Sequence, residues 1–323
     1  MQLVWHRIKN WEYWSMYIVY MPTFFIWIWY MFKFRSFHFY RLINPALPNG
    51  GLIQDSKWII YHLLPKGTYP TTLFVKKTEP LISEELLTKA GLHFPVIVKP
   101  DLGLRGIGVE QLFSYEELYK YYTASKSDFL IQEMIQYPNE IGLFYCRFPN
   151  MEHGFITGIT IKEFLTIKGN GQETIIELLR KNKRYAQQIK ALSQKMNLLS
   201  IPKTGEEICL VPFGNHNRGT AFYNGSMLIT PKLQHTFNRI LALIDGFHYG
   251  RLDIRYNSFE ELEEGIKFSI IELNGAKSEP THIYDPRTSF IKGQIEILRH
   301  QRFIGRIVEL NKMKLNRTNS VTF

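Results

Sequence analysis

Positions 13–32 carry no charged residue, and the apolar run is about as long as a helix needs to cross a bilayer. Its amphipathic rings are spread rather than gathered at the ends: Tyr13, Trp14, Tyr17, Tyr20, Trp27, Trp29 and Tyr30 cover the whole stretch, and Pro22 interrupts it. A spanning helix usually confines such rings to the two interfaces. Basic residues flank the run, Arg7 and Lys9 before it and Lys33, Arg35 and Arg41 after it, which suits a segment lying among anionic headgroups. The pattern predicts a hydrophobic, aromatic-rich helical segment at the cytoplasmic face of a membrane, peripheral or re-entrant. A single span or a buried core segment are the alternatives.

Beyond it the periodicity changes repeatedly. Residues 44–51, with Asn44-Pro45 and Gly50-Gly51, read as a connector. Asp55 or Ser56 can cap a short helix over 57–64 that Pro65 ends. Short strands are predicted over 70–75, 95–100 and 129–135, and helices over 83–90, with Gly91 at its end, and 114–122. Residues 250–255 and 268–275 alternate with period two. Arg251, Asp253 and Arg255 then share one face opposite Leu252 and Ile254, and Glu272 and Asn274 share one opposite Ile271 and Leu273. Strands and helices mix without strict alternation, so the fold class is α+β. Residues 312–323 are basic and polar, and read as a frayed tail.

A length of 323 residues suggests about two domains. With 45% hydrophobic and 21% charged residues the chain is no disordered tract. The net charge of +10 suits a phosphate-rich ligand, an anionic membrane surface or nucleic acid, but no nucleic-acid motif is present, so no such partner is expected. Two cysteines, Cys146 and Cys209, without a Cys-x-x-Cys spacing, point to a reducing compartment. Neither has a histidine nearby in sequence to make it a nucleophile.

Candidate chemistry gathers at three places. Lys99 ends an apolar strand and precedes Gly103, Arg105, Gly106 and Gly108, so backbone N–H groups and one ammonium can surround a polyphosphate there. If the 250–255 and 268–275 strands pair, Asp253, Glu272 and Asn274 converge as an all-oxygen set suited to Mg²⁺, with Arg251 on the same face to steady a phosphoryl group in transfer. Two polar loops are weaker substrate candidates, one with Asn215 and Arg218, the other with Glu279 and His282 directly after the metal strand.

Lys57, Lys99 with its glycine loop, the Gln132-Glu133 strand with Glu140, Arg251-x-Asp253 and Glu272-x-Asn274 together resemble the ATP-grasp superfamily in its D-alanine–D-alanine ligase-like branch, over roughly residues 50–300. The resemblance implies two α+β subdomains gripping ATP, and a carboxylate activated as an acyl phosphate and then attacked by an amine. It implies phosphate-binding roles for Lys57 and Lys99, a mobile phosphate cover at 103–108, an adenine hinge at Gln132, Glu133 and Ile135, and a ribose-binding acid at Glu140. Asp253, Glu272 and Asn274 resemble the magnesium ligands, and Arg251 the residue that steadies the transferred phosphate. Residues 167–178 are similar to a segment of cyanophycin-synthetase-like relatives, with Asn170 in place of the usual Asp. The hinge opens on Gln132 instead of an acid, and the aromatic segment stands where the family has a substrate domain. The plan implied is a membrane segment and connector over 1–50, subdomains over 51–135 and 136–305, and a basic tail over 306–323. Taken with the aromatic amino-terminal segment, the expected function is a membrane-associated, ATP- and Mg²⁺-dependent carboxylate–amine ligase acting on a lipid-linked or amphipathic substrate. The alternative is an ATP-binding scaffold at the membrane with reduced turnover.

Overall fold

The apolar strands assemble into two antiparallel sheets facing each other across a cleft. The structure, a computed structural model, describes residues 5, 8–53, 55–103, 106–211, 214 and 219–320, without the side chains of 318–320. In the smaller sheet β1 (Thr72–Val75), β2 (Val96–Pro100), β3 (Glu110–Leu112) and β4 (Phe129–Glu133) lie in the order β1-β4-β2-β3. The larger contains β5 (Asn139–Cys146), β6 (Phe155–Glu163), β9 (Ala221–Asn224), β10 (Tyr249–Tyr256) and β11 (Phe268–Asn274), in the order β11-β10-β5-β6-β9. Between them in sequence, β7 (Leu165–Lys168) and β8 (Glu207–Val211) pair as a ribbon with a separate small core around Leu165, Leu179 and Leu192. This α+β arrangement agrees with the fold class expected from the sequence.

Alternation decides what each sheet face meets. In the small sheet Val96, Val98, Phe129 and Ile131 pack beneath the helices Glu84–Lys89 and Tyr115–Ala124. The opposite face, with Lys99 beside Leu130 and Gln132, turns toward the large lobe, whose core takes in Leu130 together with Tyr61, Leu252 and Ile254. Serines open the helices where the sequence places them. Ser56 accepts from the Ile59 amide at 3.2 Å, Ser83 from Leu86 at 3.4 Å and Ser114 from Glu117 at 3.2 Å. Each such cap stabilises its helix by about 1 kcal/mol.

Residues 13–32 do not form one continuous helix. A short turn at Met16–Val19 precedes a helix over Met21–Phe34, and Pro22 lies in its first turn, where a missing N–H costs nothing. One face of this amino-terminal helix packs on the carboxyl-terminal helix (Phe290–Ser320), so the core-segment alternative holds for that face. Trp27 donates to Gln301 Oε1 at 2.8 Å and Tyr30 to the Gln301 carbonyl at 2.7 Å. Gly305 and Gly293 lie against the Tyr30 and Trp11 rings, where a β-carbon would collide. No helix among the described residues is long and apolar enough to cross a membrane.

Two segments read from the sequence as a connector and a tail are packed into the fold. Residues 44–51, read from the sequence as a connector, are packed as a clamp. Buried Asn44 accepts from the amides of His248 and Tyr249, both at 2.8 Å, and donates to the carbonyls of Gly50 and Tyr249. At the other end residues 306–320 of the basic tail expected over 306–323 continue the carboxyl-terminal helix. Ile307 and Val308 are buried in it, and Asn311 donates to the Leu42 carbonyl at 2.8 Å, because this stretch supplies the apolar partner that the amino-terminal helix requires.

Candidate functional site

β10 and β11 pair antiparallel, setting Asp253 opposite Glu272 and Arg251 opposite Asn274. Leu252 and Ile254 go into the core while Arg251, Asp253 and Arg255 take the other face, as alternation requires. The strands do not join through a plain turn, since a short helix, Phe259–Glu264, lies between them. Alternation in β11 also slips. The register passes from Asp253–Glu272 to Ile254–Ile270, which leaves Ile271 as the extra residue of a bulge. Phe268, Ile270 and Leu273 therefore reach the core and Ile271 does not, contrary to the expectation that Ile271 and Leu273 share a face.

The bulge has a use. Its free Ile271 carbonyl accepts from the Tyr61 hydroxyl and, at 3.3 Å, from the Lys99 ammonium, which also donates to the Tyr61 hydroxyl at 2.7 Å. The small sheet, the Lys57–Leu63 helix and the large sheet meet at this point. Lys57 donates to the carbonyls of Pro100 and Asp101 at 2.9 and 3.0 Å. Around these groups runs a cleft lined by Lys57, Tyr61, Gly103, Glu272, Asn274 and Lys277. Burial pushes the Lys99 pKa down to about 8 despite the opposing pull of Glu272. The Lys57 pKa is lowered too, first by burial and then, against Glu272, by the neighbouring Lys99 charge. Cations crowded and desolvated in this way are suited chemically to meeting an anion.

A second charged cluster adjoins the cleft. Lys162 of β6 contacts Glu140 at 2.7 Å and Asp253 at 3.0 Å, Arg251 Nε meets Asp253 at 3.0 Å, and Arg255 Nε meets Glu140 at 2.9 Å. Gly142 lies opposite Asp253, and a β-carbon there would stand 3.3 Å from both Arg251 Cδ and Asp253 Oδ1. Burial disfavours the charges of Asp253, Lys162 and Arg251, but their partners outweigh it. The Asp253 pKa is lowered by Arg251 and Lys162, and the Lys162 pKa is raised by Asp253 and Glu140.

The remaining candidates separate. Gln132 is buried and donates to Thr72 Oγ1 at 2.8 Å, Glu133 is exposed and accepts from the Thr71 amide at 3.2 Å, and Ile135 is half-buried in the segment after β4. Glu140, whose expected partner is a ribose, has its two oxygens taken by Lys162 and Arg255. Gly108, at φ +72°, packs on Pro100, and its carbonyl accepts from the Tyr121 hydroxyl at 2.8 Å. Gly106 shares the left-handed conformation, at φ +71°. Glu279 accepts from the Tyr284 hydroxyl at 2.6 Å and offers its carbonyl to Arg251. His282 is buried against Gly158 and reaches Glu296 of the carboxyl-terminal helix at 3.3 Å, so it braces two elements where a substrate contact was expected. Arg105, Asn215 and Arg218 lie outside the described residues. Burial pushes the Cys146 thiol up to about 12, which makes it a poor nucleophile.

Three participants escaped the sequence reading. Tyr61 stands one helical turn after Lys57, so it had to share that residue's face. Lys162 is the only cation at alternate positions of the apolar strand β6, two residues after Thr160. Lys277, three residues after Asn274, pairs with buried Asp55 at 3.0 Å. Among the described residues no group of three or more His, Cys, Asp or Glu side chains could hold a metal ion.

No protein-family model matches the sequence, and no curated protein matches it significantly. Among solved structures the chain is similar to the D-alanine–D-alanine ligase from Bacillus anthracis, at 15% identity and a TM-score of 0.45, over 80% of this chain and 70% of that one. It is similar to the VanG D-Ala:D-Ser ligase from Enterococcus faecalis at 13% identity and a TM-score of 0.42, over 79% of this chain and 61% of that one. A bifunctional glutathione synthetase from Pasteurella multocida aligns at 12% identity and a TM-score of 0.40, over 77% of this chain but only 36% of that one.

Proposed function

We propose that this chain is an ATP-dependent carboxylate–amine ligase of the ATP-grasp type that works through an acyl phosphate. The observation that carries the reading is the meeting of Lys57 and Lys277 with Glu272 and Asn274 in one cleft between two antiparallel sheets, with Lys99 bonded to the Tyr61 that lines it. Lysines desolvated on one wall suit the phosphates of a nucleotide. Carboxylate and amide oxygens on the facing strand suit a hard cation. The donor set is right for Mg²⁺, which would take Glu272, Asn274 and Asp253 and draw its remaining ligands from phosphate and water. Asp253 would join it by giving up its contacts with Arg251. Once bound, the ion supplies charge neutralisation on the phosphates.

The protein's own groups supply the rest. Lys99, held by the Tyr61 hydroxyl and the Ile271 carbonyl, is oriented before the nucleotide arrives, so little reorganisation remains to be done. Arg251, freed from Asp253, faces the position where charge builds up as the phosphoryl group passes to the carboxylate. The amine then attacks the acyl carbon and phosphate leaves. The exposed aromatic face of the amino-terminal helix favours a lipid-linked or amphipathic substrate.

The test is purified protein incubated with ATP, Mg²⁺ and a membrane-lipid extract, with ADP release and product mass followed together. Turnover lost in a folded Glu272→Ala protein is the expected result. ATP binding with no ADP release under any substrate pool overturns the ligase reading, and undiminished turnover in Glu272→Ala overturns the metal assignment.

A further inference from the structure

The amino-terminal helix has two apolar faces, and only one of them is used. Met21, Phe25, Trp29 and Phe32 fall within an arc of about 80° at helical spacing, and all four are exposed, Phe25 at 62% and Phe32 at 78%. On the opposite arc Tyr30 and Phe34, each 4% exposed, pack on the carboxyl-terminal helix. The patch extends beyond the helix through Tyr17 and Ile18 on one side and Phe37 on the other, all exposed. A helix that is apolar all round normally has cover on every side.

The charge around this face is mainly basic. Positions 13–54 contain no Asp or Glu but include Lys33, Arg35 and Arg41, all exposed. Lys33 lies 5.1 Å from the Trp29 ring centroid, its charge beside the apolar surface, and Glu309 is its acidic neighbour at 3.9 Å. The end of the carboxyl-terminal helix comes alongside. Lys312 donates to the Phe34 carbonyl at 2.5 Å, and residues 310–323 add Lys314 and Arg317 with no acid.

We propose that this face docks on an anionic lipid bilayer, with the Met21–Phe34 helix lying in the plane of the interface, its Phe25–Phe32 side inserted and Lys33, Arg35 and Arg41 on the headgroups. The helix is 14 residues long, about 21 Å against a hydrocarbon core of roughly 30 Å, and its inner face is held to the protein. It therefore lies on the membrane and does not span it. A second copy of the chain fits less well. A two-fold contact through this patch meets itself, so it sets Lys33, Arg35 and Arg41 near the same residues of the copy, with no carboxylate in the segment to neutralise them. The proposal stands on the surface alone and does not depend on the ligase reading.

The experiment is co-sedimentation of the full chain with vesicles of phosphatidylcholine alone, or mixed with phosphatidylglycerol, across a salt series. Sedimentation velocity without lipid runs in parallel. Binding to the mixed vesicles is expected, weakening with salt. Lys33→Gln/Arg35→Gln/Arg41→Gln should reduce it on the order of a hundredfold at low salt, taking each basic residue at its usual worth near an anionic surface. Phe25→Gln/Phe32→Gln should reduce binding at every salt concentration, because the lost contacts are apolar. All five positions are exposed, so unchanged thermal unfolding verifies that the variants fold. A chain that stays in the supernatant with both vesicle types overturns the proposal. So does a dimer that Phe25→Gln/Phe32→Gln dissociates in the absence of vesicle binding.

Discussion

Replacing Lys99 with Met should make the unliganded protein more stable near neutral pH while removing its activity. The ammonium is buried, and its fall from the ordinary 10.5 to about 8 means that the charged form carries an unfavourable free energy of roughly 3 kcal/mol in the folded state. The folded pKa lies below the unfolded one, so between these two values the unfolded chain binds more protons and stability rises with pH. Below the folded value the penalty is present in full. Met removes it but also removes the bonds to Tyr61 and Ile271, each worth about 1 kcal/mol net. The variant should therefore gain about 1–2 kcal/mol near pH 7. Near pH 10 that advantage should have shrunk by roughly 2 kcal/mol, because the wild-type lysine has by then lost its proton. Urea unfolding of both proteins at the two pH values reads this directly, and the difference between them cancels every titration they share. An advantage that does not vary with pH would refute the buried, charged Lys99. Turnover in the same variant should fall by orders of magnitude on the proposed role of the ammonium at the nucleotide phosphates.

Three further outcomes follow from the same geometry. Arg251→Ala should cut turnover strongly while changing ATP affinity only modestly, the pattern of an interaction made mainly in the transition state, and equilibrium binding beside steady-state kinetics would separate the two. Lys162→Met should destabilise the protein by about 3–5 kcal/mol in chemical unfolding, because it leaves Glu140 and Asp253 facing each other in a buried site without the ammonium between them. Glu296, held well below the usual carboxylate range against burial by His282 and His300, contributes stability above its unfolded pKa that is lost as pH falls. Glu296→Gln should flatten the acid side of the stability profile, read by thermal melts in an acid pH series.

Local pattern was enough for the parts of this protein that depend on neighbours in the chain. The serine caps at Ser56, Ser83 and Ser114, the strands around Val96–Pro100 and Tyr249–Tyr256, and the shared face of Arg251, Asp253 and Arg255 follow from spacing and side-chain chemistry within a few residues. The pairing of the Asp253 and Glu272 strands was legible as well, because each carried its polar residues on alternate positions. What spacing could not reach was set by contacts across the fold. The Ile271 bulge is invisible in an apolar run, yet it exposes the carbonyl that holds Tyr61 and Lys99. Glu140 looked free for a ligand until Lys162 and Arg255 closed on it from two other strands. His282 looked like a pocket residue until a helix beginning at Phe290 brought Glu296 to it. The amino-terminal run is apolar on all sides in sequence. Only the arrival of the carboxyl-terminal helix, more than 250 residues later, decides which side is core and which is left for a surface, because burial is a property of the partner as much as of the residue.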